Sequence, residues 1–197
     1  MPVTIGAKPG GDFSNPMGLL TDCHRRIERF LGVLVKVAQQ AQGSAMTPLQ
    51  KEEWLRALEY FRNAAPRHTA DEEESLFPRL RQIDEQRVKD ALAKMQELED
   101  DHVQANAWHD EVDRLGRRWL ADGTLADEEA GRLTEVLARL TELYQHHLPL
   151  EDESIFPLAT AVLPHTEKTR MGAEMAQRRG LNPQQVLKQA SELNALK

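Results

Sequence analysis

Apolar residues recur at helical spacing along four long segments of this chain, and this pattern restricts the fold more than any other feature. The stripe of the first segment contains Leu20, Ile27, Leu31 and Leu34. Such spacing is typical of an amphipathic helix that buries one face. No segment shows the strict alternation of apolar and polar residues that marks a half-buried strand. The sequence therefore predicts an all-α protein with an up-down-up-down four-helix bundle.

Helix boundaries follow from proline, asparagine and glycine. The second helix is expected to run from residue 48 to the low 80s, with a kink or break at Pro66 and Pro78. Proline causes such breaks because it cannot donate the backbone hydrogen bond of a helix interior. The third helix is expected to have Asp84 as its cap and the fourth to open at Thr124.

Composition changes at both ends of the chain and predicts three parts. Residues 1–15 are rich in glycine and proline and are expected to form a flexible N-terminal arm. Residues 16–164 would form the bundle. Residues 165–197 are more basic and polar, which indicates a C-terminal extension with helical segments. The sequence leaves open whether this extension packs on the bundle or is loosely attached.

Charge and cysteine content exclude several classes of function. The chain of 197 residues has 25 basic and 32 acidic residues, which gives a formal net charge of −7. This balance argues against binding to nucleic acid and against an anionic membrane surface. The single cysteine excludes an intrachain disulfide and a thiolate-based metal site. No signal peptide or apolar run of membrane-spanning length is evident, so a cytoplasmic location is expected. The oligomeric state stays open.

Four of the seven histidines lie on or beside the apolar stripes, one on each long helix. They are His24, His68, His102 and His147. His24 and His68 lie 19 and 20 residues from the turn that joins the first two helices. The corresponding counts are 15 and 17 for the second and third helices, and 20 and 22 for the third and fourth. In an antiparallel bundle, such agreement places the imidazoles at one depth to within roughly 3 Å. We therefore expect them to converge in the core.

Two of these histidines are followed by a glutamate four residues later, within a repeated segment. HTADEEESLFP begins at His68 and HLPLEDESIFP at His147, an offset of 79 residues, and six of the 11 positions are identical. Spacing of i and i+4 places Glu72 and Glu151 on the same helix faces as the histidines. Buried carboxylates need compensating positive charge, which a bound metal ion supplies. A nitrogen and oxygen donor set without thiolate suits iron, manganese or zinc, and two carboxylates can bridge two ions.

These motifs resemble the hemerythrin-like (HHE cation-binding) domain family over roughly residues 15–163. The resemblance implies a non-haem di-iron centre in a four-helix bundle, with oxo- or hydroxo-bridged ions. Relatives in this family bind dioxygen, handle peroxide or nitric oxide, or sense iron and oxygen. By resemblance, four histidines are terminal ligands and two glutamates bridge the ions: His24, His68, His102, His147, Glu72 and Glu151.

The third helix departs from the pattern of the oxygen-carrying relatives, which have two histidines spaced HxxxH. Here the residues four positions from His102 are Leu98 and Asn106. His109 lies on the same face but about 10 Å further along the helix. Whether His109 or a carboxylate such as Glu28 completes the site stays open. An open coordination position favours reaction with small oxidants over simple oxygen carriage.

Two hypotheses for function follow, and the sequence does not assign catalytic residues. In the first, the chain is a di-iron protein that binds, senses or reacts with dioxygen, hydrogen peroxide or nitric oxide. A peroxidase-like or catalase-like activity is one form of this hypothesis, so whether the protein is an enzyme stays open. In the alternative, it is an iron- or oxygen-responsive regulatory module, or a metal-storage module without turnover, with residues 165–197 as its output.

Overall fold

The computed structural model describes residues 11–188, and the expected all-α fold is confirmed because these residues form helices and no strand. No helix among them is long and apolar enough to cross a lipid bilayer. The α-helices are α1 (Pro16–Ala41), α2 (Pro48–Asn63), α3 (Ala65–Ala70), α4 (Phe77–Arg81), α5 (Gln86–Asp122), α6 (Asp127–Leu150), α7 (Phe156–Val162) and α8 (His165–Arg178). Two π-helical segments, π1 (Asp71–Leu76) and π2 (Glu151–Ile155), connect α3 to α4 and α6 to α7.

The expected starts of the third and fourth helices were wrong by one and two residues, respectively. The N-cap of α5 is Glu85 and that of α6 is Ala126, and neither caps through its side chain. Asp84 instead lies 2.5 Å from the ammonium of Lys89. Before α6, Leu125 is buried and donates its backbone N–H to Gly43. This tertiary contact keeps Leu125 outside the helix, although the sequence alone predicts that the helix has already begun at Thr124.

The second and fourth segments are each divided into shorter helices. The second segment breaks at Ala64 because Pro66 has no N–H to donate to the carbonyl of Arg62. In the fourth segment, α6 continues through Pro149 and the helix then widens into π2. The expected disruption at the prolines is therefore present, but part of it takes the form of π-helix.

The buried apolar residues form two separate clusters. In the first, α1 packs against α2 and α6, and α5 packs against the same two helices. This cluster includes Trp54 and Trp119. The second cluster includes Phe77 and Met95 and joins the start of α1 to α4, α5, α7 and α8. His24 on α1 and His102 on α5 each lie along the chain between a member of one cluster and a member of the other.

Helix α8 packs against α1 and π1. Met171 and Met175 are completely buried in the second apolar cluster. Between them, Gly172 lies against the backbone carbonyl of Phe13, where a Cβ atom would approach to 1.9 Å. Residues 1–10 of the expected arm and residues 189–197 of the expected extension lie outside the described residues.

Candidate metal centre

The two π-helical segments carry the glutamates of the repeated motif. In π1, the N–H of Phe77 donates to the carbonyl of Glu72, five residues earlier. In π2, the N–H of Phe156 donates to the carbonyl of Glu151 in the same way. A proline follows each phenylalanine and removes the next backbone donor. The repeat thus has a structural counterpart, because each half forms the same wide turn, a form that is frequent at functional sites.

The six side chains that the sequence singled out are buried and lie together. The two glutamates are 0 % exposed. His68 Nε2 lies 3.2 Å from a Glu72 oxygen, and His102 Nε2 lies 3.4 Å from the other Glu72 oxygen. His24 Nε2 and His147 Nε2 lie 3.1 and 3.3 Å from the same oxygen of Glu151. All four histidines therefore turn Nε2 toward the carboxylate pair.

The donor atoms form two overlapping groups. One group contains His24, His68, Glu72 and Glu151, and the other contains His102, His147 and Glu151. In each group the ligand atoms lie within 4.8 Å of one another, close enough to hold one metal ion. Glu151 belongs to both groups, and Glu72 contacts a histidine of each. This donor set fits two ions that share carboxylates.

Hydrogen bonding within the protein leaves the carboxylates unsatisfied. None of the four oxygens of Glu72 and Glu151 has a hydrogen-bond partner among the described residues, and the same holds for His24 Nε2. Unsatisfied buried carboxylates are costly, and buried charges in proteins are normally paired or coordinate metals. The residues present therefore fit a bound cation.

The pKa values show how the metal-free cluster balances its charge. Burial and the nearby Glu151 carboxylate raise the pKa of Glu72 to about 7. Burial alone would lower the pKa of His24, but contacts with Asp152 and Glu151 outweigh burial and raise it well above its usual value. Burial and the proximity of His24 lower the pKa of His68 well below its usual value. Protons thus supply part of the positive charge that a metal ion would bring.

Three acidic residues that sequence reasoning did not select lie behind the histidines. Nδ1 of His102 is hydrogen-bonded to Glu73 at 2.8 Å, and Nδ1 of His147 to Asp101 at 3.1 Å. Asp152 lies 3.1 Å from Nδ1 of His24. Such carboxylates fix the tautomer of a metal-binding histidine and direct its other nitrogen toward the ion.

The repeat contained a signal for two of these residues. Glu73 and Asp152 occupy equivalent positions, immediately after Glu72 and Glu151, so an acidic residue recurs there in both halves. Both side chains are about one-third exposed, and each also contacts a buried histidine. Asp101 has no equivalent signal beyond its place next to His102.

The residues left open as further ligands lie outside the donor groups. Glu28 is exposed on α1. His109 bonds Tyr144 Oη at 2.9 Å through Nε2 and stacks on Phe61 with ring centroids 4.2 Å apart. Burial lowers the pKa of His109 to about 4, so its imidazole is neutral at physiological pH. Among residues 11–188, neither residue belongs to a group of atoms that could hold a metal ion.

One side of the histidine cluster faces a cavity. This inner cavity is lined by His68, His102 and His147, together with Tyr144 and His109. Its remaining wall is mostly apolar. The donor groups therefore adjoin an internal space of about 20 Å³, which is enough for a water-sized molecule.

Comparison with known proteins agrees with this geometry. The chain matches the model of the hemerythrin HHE cation binding domain over residues 15–159. This chain belongs to the hemerythrin HHE family. The expected resemblance over roughly residues 15–163 is thereby confirmed. An uncharacterized protein of Haemophilus influenzae is 25% identical to this HHE protein over 172 residues, which cover 85% of this chain and 91% of the relative.

Proposed function

We propose that this HHE protein binds two iron ions and uses them to bind, sense or react with dioxygen, hydrogen peroxide or nitric oxide. The observation that carries the proposal is the pair of buried glutamates without hydrogen-bond partners, which face Nε2 of four histidines. The proposed ligands are His24, His68, Glu72, His102, His147 and Glu151. The nitrogen and oxygen donors also suit manganese or zinc. Membership of a cation-binding family supports the metal, and resemblance to its di-iron members favours iron.

Each group of residues has a distinct task in this proposal. A bound pair of iron ions supplies redox chemistry and a coordination position for a small oxidant. Glu72 and Glu151 neutralise part of the charge of the ions. Glu73, Asp101 and Asp152 hold the imidazoles with Nε2 directed inward. The apolar wall of the inner cavity limits the access of bulk water to the reacting ligand.

Metal analysis of the purified protein tests the proposal. We expect about two iron ions per chain, and their loss in His68→Ala and His147→Ala. The matched control is His146→Ala, because His146 is adjacent to His147 but exposed. Protein that binds no metal, or binds it equally well in both site variants, contradicts the proposal.

Peroxide turnover separates an enzyme from a passive binder. If the protein is catalase-like, the iron-loaded form consumes hydrogen peroxide over many turnovers; if it is peroxidase-like, it does so when a reducing substrate is added. In both cases we expect Glu72→Ala to abolish this activity. The control is Glu74→Ala, which changes an exposed carboxylate of the same π-helical segment. A stoichiometric reaction that stops after one turnover would favour binding or sensing.

A regulatory module is the second candidate, and the contact between α8 and π1 favours it. Arg179, the C-cap of α8, and Arg178, its last residue, pair with Asp71 at 2.7 and 3.0 Å. Asp71 is buried and precedes Glu72 in the chain. In this form of the proposal, residues 165–197 transmit the state of the metal. Limited proteolysis tests it: cleavage in this segment should depend on iron, and identical cleavage with and without iron counts against it.

The fold around the metal centre, its location in the cell and its partners are also part of what we propose. We propose a four-helix bundle of up-down-up-down topology over residues 16–164, preceded by an arm at 1–15 and followed by an extension at 165–197. Its partners are small molecules in the cytoplasm and neither nucleic acid nor a membrane. The net charge of −7 supports this choice of partners.

A further inference from the structure

A second cavity lies next to the inner cavity, on its outer side. This outer cavity is lined by Arg62, Asp110 and Asp113, among others. Arg62 and Asp110 are exposed, and Arg62 forms an ion pair with Asp113 that connects α2 to α5. The outer cavity therefore reaches the surface between these two helices.

The two cavities share four lining residues: Phe61, Pro66, Asn106 and His109. The shared wall lies where the second helical segment breaks, because Pro66 ends the regular hydrogen bonding after α2. The stacked rings of Phe61 and His109 stand across this boundary, one from each side of the gap between α2 and α5. A small molecule that enters from the outer cavity would pass these rings to reach the histidine cluster.

His109 has a polar atom that the protein does not satisfy. Its neutral ring has one nitrogen with a proton and one without, and Nε2 contacts Tyr144 Oη. Nδ1 is buried and has no hydrogen-bond partner among the described residues. With either tautomer, one unused donor or acceptor remains at the boundary between the cavities. Such an atom can bind a small polar molecule such as peroxide or water in transit.

We propose that the two cavities form the route by which a small ligand such as peroxide or azide reaches the metal centre, with the Phe61–His109 pair as its constriction. This inference rests on the proposed function. The stacked rings narrow the route, and the unpartnered nitrogen of His109 offers a polar ligand a hydrogen bond as it passes. The pair acts on access and does not touch the ions, so it changes rates of entry and exit without changing ligand affinity.

Azide binding to the iron-loaded protein, followed by stopped-flow absorbance, tests this route. Asn106→Trp adds bulk at the shared wall, and Asn106 is exposed, so the variant is expected to fold. We expect this variant to lower the association and dissociation rate constants of azide together, by about tenfold. Phe61→Leu widens the constriction and should raise both constants. The matched control is Gln104→Trp, which places the same bulk on an exposed position of α5 away from both cavities.

The equilibrium constant distinguishes a route from a structural effect. A substitution that alters only the passage changes the association and dissociation rate constants by the same factor. The dissociation constant of azide therefore stays unchanged. A change of affinity or of the iron spectrum in either variant would show disturbance of the ligands and overturn the inference. Unchanged rates in both variants would overturn it as well. Failure of the native protein to bind iron would refute the proposed function first, so the two failures are distinguishable.

Discussion

At the scale of single residues, the histidine orientation depends on acidic side chains outside the donor groups. Glu73, Asp101 and Asp152 each lie within 3.1 Å of an Nδ1 atom. A carboxylate at this place makes Nδ1 the protonated nitrogen and leaves Nε2 free to bind a metal. Only His102 and His147 form this hydrogen bond; Nδ1 of His24 has the Asp152 contact without a hydrogen bond, and Nδ1 of His68 has no hydrogen-bond partner among the described residues.

The first prediction concerns these acidic residues. Asp101→Asn and Glu73→Gln remove the charge but keep the size of the side chain, so the imidazole loses its fixed tautomer. We expect metal affinity to fall by about 10–100-fold in each variant. Competition with a chelator of known affinity measures this. Glu153→Gln, an exposed residue of π2, is the control, and an equal loss in this variant would contradict the explanation.

The second prediction is a dependence of metal binding on pH. Contacts with Asp152 and Glu151 raise the pKa of His24, and burial with the Glu151 carboxylate raises the pKa of Glu72 to about 7. A metal ion must displace these protons, so binding releases protons and metal affinity rises as pH increases through 7. Calorimetric titrations in buffers of different ionisation enthalpy would measure the released protons. Affinity that is constant between pH 6 and 8 would contradict the prediction.

The residues near the site were only partly predictable from sequence. The histidines and glutamates were recognisable because an HxxxE pattern repeats and because helical spacing fixes which side chains share a face. Asp101 was not recognisable, since its contact with His147 joins α5 to α6 across 46 positions. Such contacts depend on how the helices are rotated, and the hydrophobic stripes define that rotation only coarsely.

At the scale of helices, the expected kink or break at the prolines is present, and part of it takes the form of π-helix. Each Phe-Pro pair follows a π-helical segment in which a backbone bond spans five residues. Sequence spacing could locate the disturbance, because proline removes a donor. It could not indicate a π-helix, because that form is rare and depends on the tertiary packing around the segment. The segmentation of the second and fourth helices is therefore a property of the packed structure.

The third prediction concerns the attachment of α8. Asp71 is completely buried and pairs with Arg178 and Arg179, whose side chains are about one-fifth exposed. Removing both arginines leaves a buried carboxylate without a partner, which costs about 3–5 kcal/mol. We expect the double variant Arg178→Ala/Arg179→Ala to lose this much free energy of unfolding in urea. Asp71→Asn should cost less, about 1–3 kcal/mol, because the arginines can rehydrate.

A surface variant gives the control for this prediction. Arg170 forms an ion pair with Glu167 and is 72% exposed. Exposed pairs contribute about 0–1 kcal/mol, so Arg170→Ala should have little effect. Equal losses in the double variant and in Arg170→Ala would show that the buried pair does not anchor α8.

At the scale of the whole molecule, the candidate centre divides the core. Along α1, Leu20 belongs to one apolar cluster and Ile27 to the other, with His24 between them. Along α5, Leu98 and Ala105 are separated by His102 in the same way. The polar layer thus interrupts the hydrophobic core, and a bound cation would offset the cost of its charges. The cluster that contains α4, α7 and α8 is the smaller one, with 15 buried residues against 20.

The last prediction follows from this division and concerns metal removal. Chelation should destabilise the smaller cluster first, because it buries less apolar surface and contains both π-helical segments that carry the glutamates. Amide hydrogen exchange should therefore increase in residues 71–98 and 151–178 and change little in α2 and the second half of α5. The three tryptophans, Trp54, Trp108 and Trp119, all pack in or against the larger cluster, so tryptophan fluorescence should stay native in the metal-free protein. If native tryptophan fluorescence and exchange protection are lost together in both clusters, the core unfolds as one unit. The polar layer would then not separate the two clusters.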